Sequence, residues 1–274
     1  MLDKEVPILG KLTRSIRTRG LGGTAAAIGE MAVALVRPHH VLHHLLVPFE
    51  MLAHPRHAAS WFADRFSSRA APAEQGLPWI AWPCVDYLAR YLQPSHHVFE
   101  WGGGGSTLFF LKKGCRVTTV ESDPEWVRQL QDRVRAQSPD ARSRWDLRFV
   151  PVKGNGDPSI GEYVRQVSTG APWDVVMVDG WSRMNCLLAG RDDVKAGGVL
   201  VIDNANQKQF ADVPQLMEGW QRYPFRGLGV ARSWVTQTDV YVRPLLAEQR
   251  SASREQRPQH GFENAVLDDR GHRA

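Results

Sequence analysis

The sequence predicts an α/β fold: a doubly wound, mostly parallel sheet of about seven strands with a helical extension before it. Three observations predict this. Between residues 76 and 246, strand-like runs alternate with helix-like ones at the spacing of βαβ units. The runs at 173–178 and 199–203 are nearly all apolar, as strands covered on both faces must be. The run at 97–100 leads into four consecutive glycines and then a helix, the local design of a ligand-binding turn.

Each element has its own reason. Pro83 suits the first turn of a helix, and Val85, Leu88, Ala89 and Leu92 form the stripe behind it. Residues 97–100 are the first strand, and 106–113 a short helix closed by Gly114. The β-branched run 116–121 is the second strand. Asp123-Pro124-Glu125 starts a helix with a capping carboxylate, a proline at the first helical position and an acid in the first turn. Residues 147–152 and 173–178 are strands three and four. A helix over 184–194 and a turn at Gly197-Gly198 lead to the fifth strand at 199–203. Two last runs, 225–232 and 236–243, pair antiparallel across a short link.

A chain of 274 residues holds one large domain and an extension or two. With 43% hydrophobic and 23% charged residues the composition is globular, and the net charge of +5 is too dispersed to make a nucleic-acid patch. Cys84, Cys115 and Cys186 show neither zinc spacing nor a disulfide framework, which implies a reducing compartment. The N-terminus lacks an export signal. The apolar stretch 21–36 is broken by Gly22, Gly23, Gly29 and Glu30, too short and interrupted to span a bilayer, so a cytoplasmic protein is expected.

Three zones follow: a helical extension at 1–75, the α/β domain at 76–246 and a polar, disordered tail at 247–274. In the extension Leu9, Leu12 and Ile16 interleave with Lys11, Arg14, Arg17 and Arg19, a pattern suited to a lid, a dimer contact or a membrane surface. Six of the ten histidines lie between His39 and His57. His39/His43 and His40/His44 have the spacing of a metal pair, but no accompanying Glu supports a metal, and a solvated polar face explains them as well.

The chemistry centres on the glycine turn. Glu100 stands two residues before Gly102, giving Glu-x-Gly-x-Gly. A carboxylate at such a turn repels a diphosphate and welcomes an ammonium group. Thr107 occupies the place where a dinucleotide fingerprint needs a third small residue. Both details disfavour NAD. Glu121 ends the second strand about 20 residues on, where an acid accepts ribose hydroxyls, though a surface acid at a strand end is the plainer alternative.

With Glu100-Trp-Gly-Gly-Gly104, Glu121, Trp173-Asp-Val-Val-Met-Val-Asp179-Gly180 and Gly197-Gly-Val-Leu-Val-Ile-Asp203-Asn204 in this order, residues 80–245 resemble the class I S-adenosylmethionine-dependent methyltransferases. The runs Glu-x-Gly-x-Gly-x-Ser-Thr, ending at Thr107, and Val-Asp-Gly-x-x-Arg-x-x-Cys, ending at Cys186, resemble a bacterial subgroup of them. The resemblance implies a Rossmann-like sheet of seven strands whose last hairpin inserts one antiparallel strand. It implies S-adenosylmethionine as cofactor, with Glu100 near the methionine amino group, Gly102, Gly103, Gly104, Ser106 and Thr107 lining the turn, and Glu121 on the ribose. Asp157, in the loop after the third strand, is a candidate for the adenine, or part of an ordinary glycine-rich turn.

Asp179 and Asp203 end adjacent strands, where the crevice should open, with Asn204 alongside. Asp179, Asp203 and Arg183 are therefore the catalytic candidates, Arg183 as a clamp for an acidic acceptor. The Asp179, Asp203 and Asn204 oxygens also form a hard set suited to Mg²⁺, as in catechol-type O-methyltransferases. Alternatively, Asp179 lines the cofactor pocket and Asp203-Asn204 closes a turn. Cys186 is expected to be a packed small residue. The expectation is methyl transfer to a small-molecule or glycan-like acceptor, with oxygen ahead of nitrogen. A catalytically inactive binding or scaffold protein is the alternative. Nucleic acid is not an expected partner; a homo-oligomer and a peripheral membrane contact stay open.

Overall fold

The computed structural model describes residues 44–66, 76–137, 139–154 and 156–245. The basic stretch at 9–19, His39, His40, His43 and the tail at 247–274 lie outside the described residues. Helices α1 (Val47–Ala53), α2 (Pro55–Phe66) and α3 (Trp82–Tyr91) precede the sheet. Then follow β1 (His97–Trp101), α4 (Gly105–Lys112), β2 (Arg116–Glu121), α5 (Pro124–Gln137), α6 (Pro139–Ser143), β3 (Trp145–Phe149), α7 (Ile160–Arg165) and β4 (Trp173–Val178). The chain continues through α8 (Arg183–Asp193), β5 (Val194–Asp203), α9 (Val213–Leu216), β6 (Gln221–Leu228) and β7 (Val235–Val242).

The seven strands form one sheet in the order β3-β2-β1-β4-β5-β7-β6. The first five are parallel, and β7 runs antiparallel to both β5 and β6. The order reverses between β1 and β4, so a crevice opens beyond their C-terminal ends. Alternation along the buried strands divides the core between two faces. Val175 and Met177 of β4 pack with residues of α2 to α5, while Val176 and Val178 join Tyr163, Met184 and Leu187 of α7 and α8.

Several bounds differ from the sequence expectation, each for a physical reason. The third strand begins at Trp145, which pairs with Val117, and stops at Phe149. Val150 and Val152 are buried in the following loop, so their apolar character reflects packing and not pairing. Gly197-Gly198 does not precede the fifth strand but lies inside it: the pairing jumps from Trp173↔Val194 to Val175↔Val199, and the extra residues bulge. An added Cβ on Gly198 would stand 2.9 Å from the Asp174 carbonyl. The sixth strand begins at Gln221, four residues early, because its first half is an exposed sheet edge with no apolar signal; Pro224 is tolerated there.

The start of α5 is as the sequence implies. Asp123 Oδ1 accepts the N–H groups of Glu125 (2.9 Å) and Trp126 (3.0 Å). Asp123→Ala should cost about 1 kcal/mol, read as a lower midpoint in urea with unchanged slope.

Candidate active site

The turn after β1 is fastened from three sides. Gly102 N–H donates to the Val120 carbonyl of β2, and Asp179 N–H donates to the Trp101 carbonyl from the end of β4. Gly102 has φ +84°, and a Cβ there would lie 2.9 Å from the Asp179 carbonyl oxygen. The third fastening is Glu100. Its carboxylate is 0% exposed and lies beneath the turn, not at its mouth. Ser106 (2.6 Å) and Thr119 (2.8 Å) donate hydroxyl hydrogen bonds to it, as does Thr107. Thr107 in turn accepts the Gly104 N–H at 3.0 Å. Burial of an isolated carboxylate costs several kcal/mol, and three hydroxyl donors offset only part of that. Desolvation accordingly pushes the Glu100 carboxyl up to about 7.

Glu100, Ser106 and Thr107 are thus spent on one another. The first turn of α4 has N–H groups that an α-helix leaves without intrahelical partners, and the backbone of Gly102 and Gly103 beside it is partly exposed. Gly104 is buried, and a Cβ there would be in ordinary contact with the Trp126 ring at 3.6 Å. Gly103 faces inward, where a Cβ would strike Leu130 and Thr119 at 2.6 Å. Its N–H donates to Glu121 Oε2 at 3.0 Å, and its carbonyl accepts the Trp126 indole N–H at 2.6 Å. Glu121 Oε1 accepts the N–H groups of Ser122 (2.7 Å) and Asp123 (3.0 Å). Oε2 keeps acceptor capacity for a further donor.

Asp157 lies in the loop after β3 and draws that loop closed, accepting the Lys153 and Ser159 N–H groups at 2.8 Å each. Those bonds hold its carboxyl below the usual range.

Across the crevice, the ends of β4 and β5 are joined by Arg183. Its Nη2 donates to Asp179 Oδ1 at 2.6 Å, and its Nη1 to Asn204 Oδ1 and the Asp203 carbonyl, both at 3.1 Å. With its donors engaged inside the protein, Arg183 has no fork left for an acidic acceptor, contrary to the role expected for it. Asp203 is 0% exposed, with Oδ1 bonded to the Thr238 hydroxyl (3.1 Å) and Oδ2 to Arg232 (3.0 Å). It positions its neighbours and does not reach the crevice. Asp179 retains 24% side-chain exposure. Burial, and then the charge of Asp203, raise its carboxyl while Arg183 pulls it down; the balance is about 6.

A divalent ion does not fit this oxygen set as it stands, because arginines hold the oxygens. An ion about 4 Å from a guanidinium is repelled by roughly 8 kcal/mol at an effective dielectric of 20. Among the described residues no group of three His, Cys, Asp or Glu is placed to hold a metal.

Arg232 is a site residue that the sequence reading missed, because it lies at the end of the run taken as strand 225–232; it sits instead in the β6–β7 loop. Its Nη2 bonds Asp203 and the Trp79 carbonyl (3.3 Å), and its guanidinium lies over the Trp234 ring. Residues of the helical extension hold the loop that carries it. Trp61 Nε1 donates to the Arg232 carbonyl at 2.7 Å, and His44 bonds the Ser233 carbonyl at 3.0 Å with its ring edge-on to Trp234. His44 therefore packs against the hairpin instead of facing solvent. Cys186 is buried, its Sγ 3.2 Å from the Trp181 carbonyl.

Two outcomes are expected. Gly102→Ala, with φ positive and a backbone oxygen in the way, should lose about 2 kcal/mol or more in chemical denaturation. The buried Glu100 carboxyl holds a proton in the folded chain that the unfolded chain has released between pH 4.5 and about 7. Its contribution to stability is full below pH 4.5 and declines up to about 7. The melting temperature of wild type minus that of Glu100→Gln should therefore fall by several degrees from pH 5 to pH 7 and then level off.

No family model and no curated protein matches the sequence. Solved structures do. An O-methyltransferase from Bacillus cereus in complex with SAH superposes with a TM-score of 0.50 at 14% identity, covering 68% of this chain and 97% of that one. A proposed O-methyltransferase from Klebsiella pneumoniae superposes with a TM-score of 0.50 at 12% identity, covering 74% of this chain and 99% of that one. Sheet order, the antiparallel β7 and these likenesses agree: the chain has the class I S-adenosylmethionine-dependent methyltransferase fold.

Proposed function

We propose that the chain transfers a methyl group from S-adenosylmethionine to a hydroxyl of a small-molecule or glycan-like acceptor. The observation that carries this is the 3.0 Å hydrogen bond from Gly103 N–H to Glu121 Oε2. It sets the glycine turn of β1 and the acid ending β2 side by side at one edge of the crevice, so that one ligand with an amino-acid end and a ribose can engage both. The residues suit such a ligand. First-turn N–H groups of α4 receive a carboxylate, the partly exposed main chain of Gly102 and Gly103 lies beside them, and Glu121 Oε2 accepts ribose hydroxyls. The Bacillus cereus protein of like fold was solved with the demethylated cofactor.

When bound, S-adenosylmethionine supplies a methyl group on a positively charged sulfur, open to in-line displacement. The chain's own work is alignment and proton removal. Asp179, partly exposed and with a carboxyl near 6, is ionised at neutral pH and suited to take the proton of an acceptor hydroxyl. A hydroxyl needs such a base where a neutral amine does not, which favours oxygen as the methylated atom. Asp203, Arg183 and Arg232 hold Asp179 and the β5 end in place. Of the described helices, none is long and apolar enough to cross a membrane.

Titration calorimetry with S-adenosylhomocysteine is the first test: a one-to-one isotherm is expected, weakened at least tenfold by Glu121→Ala, and absence of heat ends the proposal. With a panel of hydroxylated acceptors, Asp179→Asn should lower kcat by about 10² to 10⁴ while leaving that isotherm in place. The wild-type rate should rise with pH through about 6. Binding without turnover across the panel would point to a binding or scaffold role.

A further inference from the structure

We infer that the guanidinium of Arg183 is a built-in cation for this site, filling an oxygen cage in the position where the Asp179, Asp203 and Asn204 pattern suggests a divalent ion, so that catalysis needs no metal. The inference rests on the methyl-transfer reading above but is tested separately from it. Five oxygens from both strand ends converge on one side chain. Nε faces the Gly180 carbonyl at 3.3 Å; Nη1 bonds the Asp203 carbonyl and Asn204 Oδ1, each at 3.1 Å; Nη2 bonds Asp179 Oδ1 at 2.6 Å and lies 3.4 Å from the Asp179 carbonyl.

Such convergence of carbonyl, amide and carboxylate oxygens is the donor chemistry of a hard cation. A guanidinium meets it differently: it is planar, carries five donors and stays charged at any physiological pH. The cage is also built to face inward. Asn204 has φ +58° and spends its amide Nδ2 on the Thr236 hydroxyl (3.3 Å), which turns Oδ1 toward Arg183. The Arg183 side chain is only 16% exposed. Arg232 takes the Asp203 carboxylate that a metal would also require. With two arginines against two aspartates, the site is neutral without any added ion.

Arg183 acts as a positioning residue, since its donors are occupied by the protein and none is left for substrate. A purely structural arginine would leave no cation site behind when removed; a caged cation would. Arg183→Ala should melt several degrees lower than wild type. It should recover with millimolar Mn²⁺ or methylguanidinium but not with the same concentration of sodium, and bind Mn²⁺ in water-proton relaxation measurements. Wild type, and Arg183→Lys, should bind no Mn²⁺ by the same measurement, and wild-type turnover should be unchanged in EDTA. A folded Arg183→Ala that neither binds Mn²⁺ nor responds to methylguanidinium overturns the inference. So does wild-type Mn²⁺ binding that Asp179→Asn abolishes, and this arm holds even where Arg183→Ala fails to fold. The wild-type S-adenosylhomocysteine isotherm separates the two ideas: its absence sinks the cofactor reading, while the metal measurements judge the cage.

Discussion

The site depends on one buried carboxylate. Glu100 lies under the glycine turn and gathers three hydroxyls from two sequence neighbourhoods: Ser106 and Thr107 at the start of α4, and Thr119 in β2. Because the hydroxyls satisfy a carboxyl with no solvent exposure, the helix start cannot shift along β1 without leaving a buried acid short of partners. Thr119 is held from its other side by the Trp145 indole at 2.9 Å, which extends the network to β3. The orientation of the α4 N-terminus over the crevice is therefore fixed from below. The turn's upper surface is left to main chain.

A second network does the same for the opposite wall. Arg183 fastens the end of β4 to that of β5, and Asp203 fastens β5 to β7 through Thr238 and to the β6–β7 loop through Arg232. That loop is gripped in turn by Trp61 and His44. Residues 44–66 are thus part of the support of the crevice, acting through the backbone of a hairpin loop and not by lining the turn. Substitutions at Trp61 would be transmitted to Asp203 through two hydrogen bonds, without any contact to a ligand.

How much of this the sequence disclosed follows from what kind of signal each feature leaves. Strands buried on both faces, such as Trp173–Val178, announce themselves by composition, and the start of α5 by the chemistry of Asp123 and Pro124. The exposed strand Gln221–Leu228 has no such mark, and its bounds came out displaced. For the site, the Glu-x-Gly-x-Gly spacing located the turn but not the direction of its acid. An acid at the mouth of the turn would be a lure for an ammonium group, whereas burial makes Glu100 the turn's foundation. Spacing could not tell the two apart, because β1 alternates between faces and both faces here are covered. Arg232 left no trace at all. Its partner Asp203 is 29 residues away, and only the hairpin brings them together.

Depth sorts the four acids around the crevice into two kinds. Glu100 and Asp203 are sealed, and every carboxyl oxygen they have is bonded to a neighbour, so their hydrogen bonds fix the walls. Glu121 and Asp179 are less deeply sealed: Glu121 accepts one N–H at Oε2, from Gly103, and Asp179 is held by Arg183 through Oδ1, so each has an oxygen with acceptor capacity left for a ligand. Since the sealed pair lies directly beneath the turn and the β5 end, each working acid has a rigid neighbour below it. Exchange of the two kinds would be costly in both directions: a sealed acid drawn to the surface would strand its hydroxyl or guanidinium partners, and a working acid sealed below would lose the ligand. The division of labour is thus a consequence of burial, and it explains why four similar side chains at the ends of β1, β2, β4 and β5 cannot be read as one set.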